Sequence, residues 1–231
     1  MKKDELVIVL VSGGMDSLAT AAIANEEFSN LAFLHLNYGQ KTEKKELECF
    51  QKISDFYHVK KEFRKIIDIS FLAQIGGSSL TDKNIEVKTY KGDGEDIPDS
   101  YVPFRNTHII SMAVSWAEVI GAKKIFIGAV YEDSSGYPDC RPIYYKALNE
   151  LIKQGTKNGD IEVVTPVIFM KKEEIVKTNL KLKAPMEFTW SCYKSSDKAC
   201  GTCDSCALRL RGFQKAGIDD PIDYVVRPKY F

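Results

Sequence analysis

Ser12-Gly13-Gly14-Met15-Asp16-Ser17 is the stretch whose reading decides the fold. The run before it, Leu6-Val7-Ile8-Val9-Leu10-Val11, is apolar, rich in β-branched residues and short enough for a buried parallel strand. The run after it, Leu18-Ala19-Thr20-Ala21-Ala22-Ile23-Ala24, favours helix. Strand, glycine-rich turn and helix therefore follow in that order. At such a junction glycines let the backbone come close to an anion, and the free N–H groups of the helix start point at it. Ser12 and Ser17 add hydroxyl donors. Asp16 is an unexpected neighbour for a phosphate unless a divalent cation or a substrate group needs its carboxylate. The plainer reading is a tight strand-to-helix turn with Asp16 or Ser17 as the helix N-cap. No Gly-Lys-Ser/Thr follows the glycines, so this is not a Walker loop and carries no phosphate-reaching lysine.

Outward from the loop, strands and helices alternate. Leu31–Leu36 reads as a second strand ending in Asn37-Tyr38-Gly39-Gln40. Thr42–Tyr57 is charged and periodic (Leu47, Phe50, Ile53, Phe56), an amphipathic helix, and Phe63–Ile67 suits a third strand. From Ser70 to Ser100 the pattern breaks around Gly76-Gly77-Ser78-Ser79 and Gly92-Asp93-Gly94-Glu95-Asp96, as in a functional loop or lid. His108–Ile120 is a helix with Ile109, Met112, Ala113, Trp116, Ala117 and Ile120 on one face, and Lys124–Val130 is a buried strand. The polar stretch Tyr131–Pro142 follows, then a helix to about Gln154, a short strand Glu162–Pro166 and an amphipathic helix from near Lys171. This alternation predicts an α/β fold, a doubly wound, Rossmann-like, mostly parallel sheet with helices on both faces. In a strand order like 3-2-1-4-5, the Ser12–Ser17 and Tyr131–Pro142 loops face each other across one crevice. The second loop offers Asp133, Tyr137, Asp139 and Arg141 to a flat heterocycle, unless it is only a solvated turn punctuated by Gly136 and Pro138. His35 and His58 have no evident partner and read as ordinary core or surface histidines.

The 231 residues suit one large α/β unit, and 32 basic residues balance 32 acidic ones. A zero net charge argues against a broad nucleic-acid footprint. No apolar run approaches a membrane span or a signal-peptide core, so no membrane partner is expected and the expected compartment is the cytoplasm. Of six cysteines, Cys192, Cys200, Cys203 and Cys206 form C-x7-C-x2-C-x2-C. Four thiolates at this spacing complete a tetrahedron and leave no position for water, which points to structural zinc. The helix beginning near Ala207 can carry the last ligands on its first turn, and Lys194, Lys198 and Arg209 are placed to offset the thiolate charge. Redox or sulfur-transfer chemistry at Cys200-Gly201-Thr202-Cys203 and an iron–sulfur cluster fit the same residues and stay open. Cys49 and Cys140 stand apart and are not expected to be ligands.

The hexapeptide resembles the SGG-x-DS loop of the N-type ATP pyrophosphatases, and it follows the first strand, where that superfamily carries it. Longer blocks narrow the resemblance. They are Tyr38-Gly39-Gln40, Tyr101-Val102-Pro103-Phe104-Arg105-Asn106, Ser135-Gly136-Tyr137-Pro138-Asp139-Cys140-Arg141-Pro142 and Thr189-Trp190-Ser191-Cys192-Tyr193. The Cys200–Cys206 block and Gly212-Phe213-x-x-Ala216-Gly217-x-x-Asp220-Pro221 follow. In this order, over nearly the whole chain, they resemble the 7-cyano-7-deazaguanine synthase family of queuosine precursor biosynthesis. Ile143 departs from the family, which commonly has an acidic residue there, and so speaks against a polar role at that position.

The resemblance implies an ATP-dependent carbon–nitrogen ligase that converts 7-carboxy-7-deazaguanine and ammonia to the nitrile through an adenylated carboxylate and an amide. It implies ATP at Val11, Ser12, Gly13, Gly14, Asp16, Ser17, Tyr38 and Gln40, with Mg²⁺ bridging the phosphates. Asp16, Arg105 and Asp133 are the catalytic candidates it suggests. Arg105, Asn106, Tyr137, Asp139 and Arg141 are those for the substrate. One structural Zn²⁺, a homodimer and a division into an ATP pyrophosphatase-type domain (1–185) with a zinc-binding segment packed on it (186–231) complete the expectation. No glutaminase domain fits in this length, so free ammonia is the expected nitrogen donor. A tRNA-thiolating enzyme would share the loop but use the cysteines for persulfide, and a zinc-ribbon binding module would leave the loop unexplained.

Overall fold

The computed structural model describes residues 1–92, 97–131 and 136–231. Five strands, β1 (Lys3–Leu10), β2 (Phe28–Asn37), β3 (Arg64–Asp68), β4 (Lys124–Phe126) and β5 (Glu162–Val164), form one sheet in the order β3-β2-β1-β4-β5. Every pairing is parallel. The helices are α1 (Met15–Glu27), α2 (Glu43–Phe56), a single turn α3 (Leu72–Ile75), α4 (Arg105–Ile120), α5 (Pro142–Gly155), α6 (Lys172–Lys181) and α7 (Asp204–Ala216).

Alternation along the central strand assigns the two faces. Ile8 and Leu10 face a core built with Ile110 and Trp116 of α4 and Tyr145 and Leu148 of α5. Val7 and Val9 face the opposite core, with Leu18 of α1, Ile53 of α2, Ile175 of α6 and Phe213 of α7. The sheet is therefore doubly wound, in the order read from the sequence. The alanines of α1 (Ala19, Ala21, Ala22 and Ala24) are buried, which lets that helix lie close on the strands.

Two boundaries differ from the sequence reading, for local reasons. The strand read to Val130 leaves the ladder after Phe126, although the Ile127 N–H still donates to Val164 O at 3.0 Å. Beyond that point Gly128 runs against the start of α1 rather than beside a strand. Helix α4 starts at Arg105, not His108, because Phe104 turns the chain in a left-handed conformation (φ 58°) and Asp139 accepts the Asn106 N–H at 3.0 Å. A bulky residue at positive φ is unusual and costs about 1–2 kcal/mol, so its surroundings must hold it there. The 70–100 stretch is packed along much of its described length: Ser78, Ser79, Leu80, Val87 and Ser100 are buried. Among the described residues no helix is long and apolar enough to cross a membrane.

Candidate active site

The carboxyl ends of β1, β2 and β4 open into a cavity of about 270 Å³. This is the crevice position expected where strand order reverses, with β1 between β2 and β4. One wall is the Ser12–Ser17 turn. Gly13 has φ 91°, and a Cβ there would lie 2.8 Å from Glu46 O and 2.9 Å from Cys49 Cβ of α2. Only glycine fits both the conformation and the space. Gly14, not Asp16 or Ser17, is the N-cap of α1, and no side chain caps it. Ser17 Oγ instead donates back to Gly14 O at 2.9 Å, and the Gly14 N–H donates to Ser12 Oγ at 3.3 Å. A helix start without a side-chain cap keeps backbone donors for an anion.

The structure answers the question that Asp16 raises in this loop. Lys172 Nζ, on the first turn of α6, donates to Asp16 Oδ2 at 2.6 Å, and both line the cavity. Asp16 Oδ1 is buried without a partner. A lysine from 156 residues downstream is thus brought beside the loop. Gly212 of α7 makes this possible: a Cβ there would sit 2.8 Å from Lys172 Cβ, so α6 and α7 touch at that point. Behind the loop, a Cβ on Gly128 would lie 2.8 Å from Asp16 C, Asp16 O and Ser17 N. Those are backbone atoms of a helix start and cannot swing aside. Gly128→Ala is expected to cost about 1–3 kcal/mol by overpacking and to displace the loop. Melting and ATP KM measured together check this, and a variant normal in both refutes it.

The far wall holds Tyr38, Arg105, Asn106, Tyr137 and Tyr193. Arg105 NH1 donates to the Tyr38 hydroxyl at 3.2 Å, and its guanidinium lies 5.1 Å from that ring's centre. Burial raises the Tyr38 phenol above its ordinary pKa, with Arg105 opposing in part, so the ring stays neutral. Tyr137 is braced by a 2.8 Å hydroxyl contact with Ser100 and by the Tyr101 ring at 5.7 Å. Tyr144 lies outside this wall, bonded to Thr107 at 2.7 Å. Cys140 lines the cavity as a neutral thiol, pushed up to about 11 by burial.

Other candidates lie behind the walls. Gln40 takes the Tyr38 N–H at 2.8 Å and donates to Glu46 at 2.9 Å, holding the β2 end rather than lining the cavity. Asp139 is buried, its Oδ2 and main-chain oxygen both accepting from Asn106. Its place is the α4 start. Arg141 is exposed and outside the cavity wall. Asp133 lies outside the described residues. His35 is a core histidine as read, its ring nitrogens 2.9 Å from Val11 O and 3.1 Å from Asn37 Oδ1.

Cys192, Cys200, Cys203 and Cys206 converge, their sulfurs all within 4.8 Å of one another. A single ion about 2.3 Å from each sulfur would set them about 3.8 Å apart, so the fit to one tetrahedral metal is close. The Lys194 and Cys200 N–H groups point at Cys192 Sγ (3.4 and 3.3 Å), and those of Thr202 and Cys203 at Cys200 Sγ (both 3.3 Å). Amide donors of this kind suit thiolates that carry charge. Cys206 is on the first turn of α7, as its spacing implied. Arg209, read as a counter-charge for the thiolates, is instead paired at 2.7 and 2.9 Å with buried Asp220. Cys49 and Cys140 are outside the cluster.

What the sequence reading missed is that this block also lines the cavity. Trp190, Ser191 and Tyr193 flank Cys192 and face the cavity, as do Ser205, Leu208 and Arg209. The Trp190 N–H donates to Gly13 O at 2.9 Å, tying the block to the phosphate-type loop.

The queuosine biosynthesis protein QueC family matches residues 6–217. A 7-cyano-7-deazaguanine synthase of Chloroherpeton thalassium is 61% identical over 224 residues, 96% of this chain and 98% of that one. The protein of that name from Chlorobaculum parvum is 58% identical over the same shares. Among solved structures, the U34-tRNA thiolase NcsA from Methanococcus maripaludis with its [4Fe-4S] cluster aligns at TM-score 0.49 and 17% identity. That alignment covers 80% of this chain and 59% of the thiolase, and no assignment rests on it. With a match over residues 6–217 and relatives so similar along their length, the chain belongs to the queuosine biosynthesis protein QueC family.

Proposed function

We propose that the chain is an ATP-dependent 7-cyano-7-deazaguanine synthase, joining ammonia to 7-carboxy-7-deazaguanine. The observation that carries this reading is the single cavity. An uncapped helix start with the Asp16–Lys172 pair stands on one wall, and Arg105 with three phenols stands on another. A triphosphate suits the first wall and a flat anionic heterocycle the second.

A carboxylate is a poor electrophile because its oxygen leaves badly. Attack of that oxygen on the α-phosphorus of ATP expels pyrophosphate and gives an acyl adenylate. Ammonia then displaces AMP and, on losing a proton, leaves the amide. Adenylation of the amide oxygen by a second ATP, with loss of AMP and protons from nitrogen, gives the nitrile. No protein nucleophile is required; orientation and charge stabilisation suffice. Ser12, Gly13, Gly14 and Ser17 would hold the β- and γ-phosphates, with Val11, Tyr38 and Gln40 shaping the nucleotide end. Mg²⁺ supplies charge neutralisation to the phosphates, and the unpartnered Asp16 Oδ1 is the oxygen offered to it. Arg105, Asn106 and Tyr137 serve the deazapurine, and Asp139 supports them from behind.

The four cysteines are assigned to structural zinc rather than a four-iron cluster. A cube places each thiolate on a different iron, which spreads the sulfurs more widely than one ion does. We assign residues 1–185 to the ATP-handling domain and 186–231 to the zinc segment, in a cytoplasmic homodimer that acts on small molecules rather than nucleic acid. Purified protein incubated with ATP, Mg²⁺, ammonium and 7-carboxy-7-deazaguanine should yield nitrile, AMP and pyrophosphate by mass spectrometry. Glutamine should not replace ammonium. ADP and phosphate as the only nucleotide products would overturn adenylation. Absence of both amide and nitrile would overturn the substrate and favour thiolation.

A further inference from the structure

Among the described residues Arg105 makes no ion pair, and the Asp139 carboxylate acts on it electrostatically without pairing with it. The four other charged groups described on the cavity wall are engaged. Lys172 is bound to Asp16 at 2.6 Å, Arg209 is held by both oxygens of Asp220, and Glu46 accepts from Gln40 and Thr42. No described carboxylate forms an ion pair with Arg105. Asp139 spends Oδ2 on the Asn106 amide instead. Among the described residues the Arg105 Nε–H is buried with no acceptor, and the guanidinium's one hydrogen bond is to the neutral Tyr38 hydroxyl. A guanidinium does not shed its proton, and a half-buried charge without a paired carboxylate is costly unless a ligand brings the opposite sign.

Its surroundings define that ligand. Tyr38, Tyr137 and Tyr193 come from the β2 end, the loop before α5 and the metal block, and all line the same cavity. Aromatic walls suit a planar ring, and a guanidinium fork suits a carboxylate at its edge. Resting on the functional reading above, we propose that Arg105 is the charge-reading residue of the substrate site. It binds the carboxylate of the heterocyclic acid and thereby separates the acid from the neutral amide and nitrile that follow. The amide is then held by ring contacts alone. The nitrile has lost the group that Arg105 attracts, which favours its release.

The test is direct binding, without ATP, of 7-carboxy-7-deazaguanine and of its neutral carboxamide, by calorimetry, to wild type, Arg105→Gln and Arg105→Lys. Wild type should prefer the acid. In Arg105→Gln the acid should lose about tenfold to a hundredfold in affinity, while the amide changes by less than about threefold. Arg105→Lys should recover part of the acid preference, because charge survives while the fork is lost. Equal losses for acid and amide would make Arg105 a shape-forming residue and overturn the proposal. So would an unchanged acid affinity with a raised ATP KM, which would assign the guanidinium to phosphate. A wild type that binds and converts neither compound overturns the functional reading itself. A wild type that converts both compounds but does not prefer the acid overturns only the role of Arg105.

Discussion

Cys203→Ser is expected to strip the metal and to lower the melting temperature by on the order of 10 °C. A structural site adds its binding energy to folding, and several kcal/mol lost from a chain of this size corresponds to such a shift. Cys206 is fully buried and Cys192 is 1% exposed, so two of the three remaining thiols would sit in a protein interior with no ion to organise them. The damage should reach the cavity, because Ser191 and Tyr193 bracket Cys192 and line it. Substrate affinity should therefore fall at temperatures where the variant is still folded. Metal analysis, calorimetric melting and substrate binding on one preparation separate these effects. A metal-free variant with wild-type melting would refute the structural role.

Lys172→Met should reduce turnover by about a hundredfold to a thousandfold, the range seen when a preorganised charge is removed from a reacting centre. Its ammonium is nearly buried and within 2.6 Å of Asp16, at the wall assigned to phosphates, where the turn has no lysine of its own. The stability cost should stay within about 2 kcal/mol, since Asp16 keeps 30% side-chain exposure and water can relieve it. Asp16→Asn should likewise impair turnover far more than melting. If the two groups act as one unit, the double variant should be little worse than either single one. Near-normal kcat in Lys172→Met would remove the residue from the mechanism.

Legibility in the sequence followed the distance between cause and effect along the chain. The Ser12–Ser17 turn and the four cysteines are local patterns whose spacing carries their geometry, and both appear where their residues put them. The parallel sheet followed from alternating elements and the run Val7–Leu10, buried on both faces, and the strand order supposed for it is the one observed. Lys172 was not legible, because Lys171-Lys172-Glu173-Glu174 looks like any solvated helix start until α7 presses it inward through Gly212. Asp139 and Arg141 read as one polar loop, yet a single residue between them separates a buried helix anchor from an exposed side chain. Gly128 passed as an ordinary strand residue because nothing in its neighbours announces the backbone of Asp16 behind it.

Phe213, packed in the same core as Val7 and Val9, has a consequence for synthesis. The first strand leaves the ribosome some two hundred residues before α7, whose Phe213 joins the core beneath it. Its β4 partner also emerges more than a hundred residues later. Until then the nascent chain carries an apolar strand with an open edge, the kind of surface that chaperones shield and that aggregates when translation stalls. Docking of α7 also brings Cys206 to the other sulfurs. On the zinc assignment proposed above, the four-sulfur site is complete only once α7 has been made, and zinc starvation during growth should then accumulate aggregated polypeptide rather than soluble apoprotein.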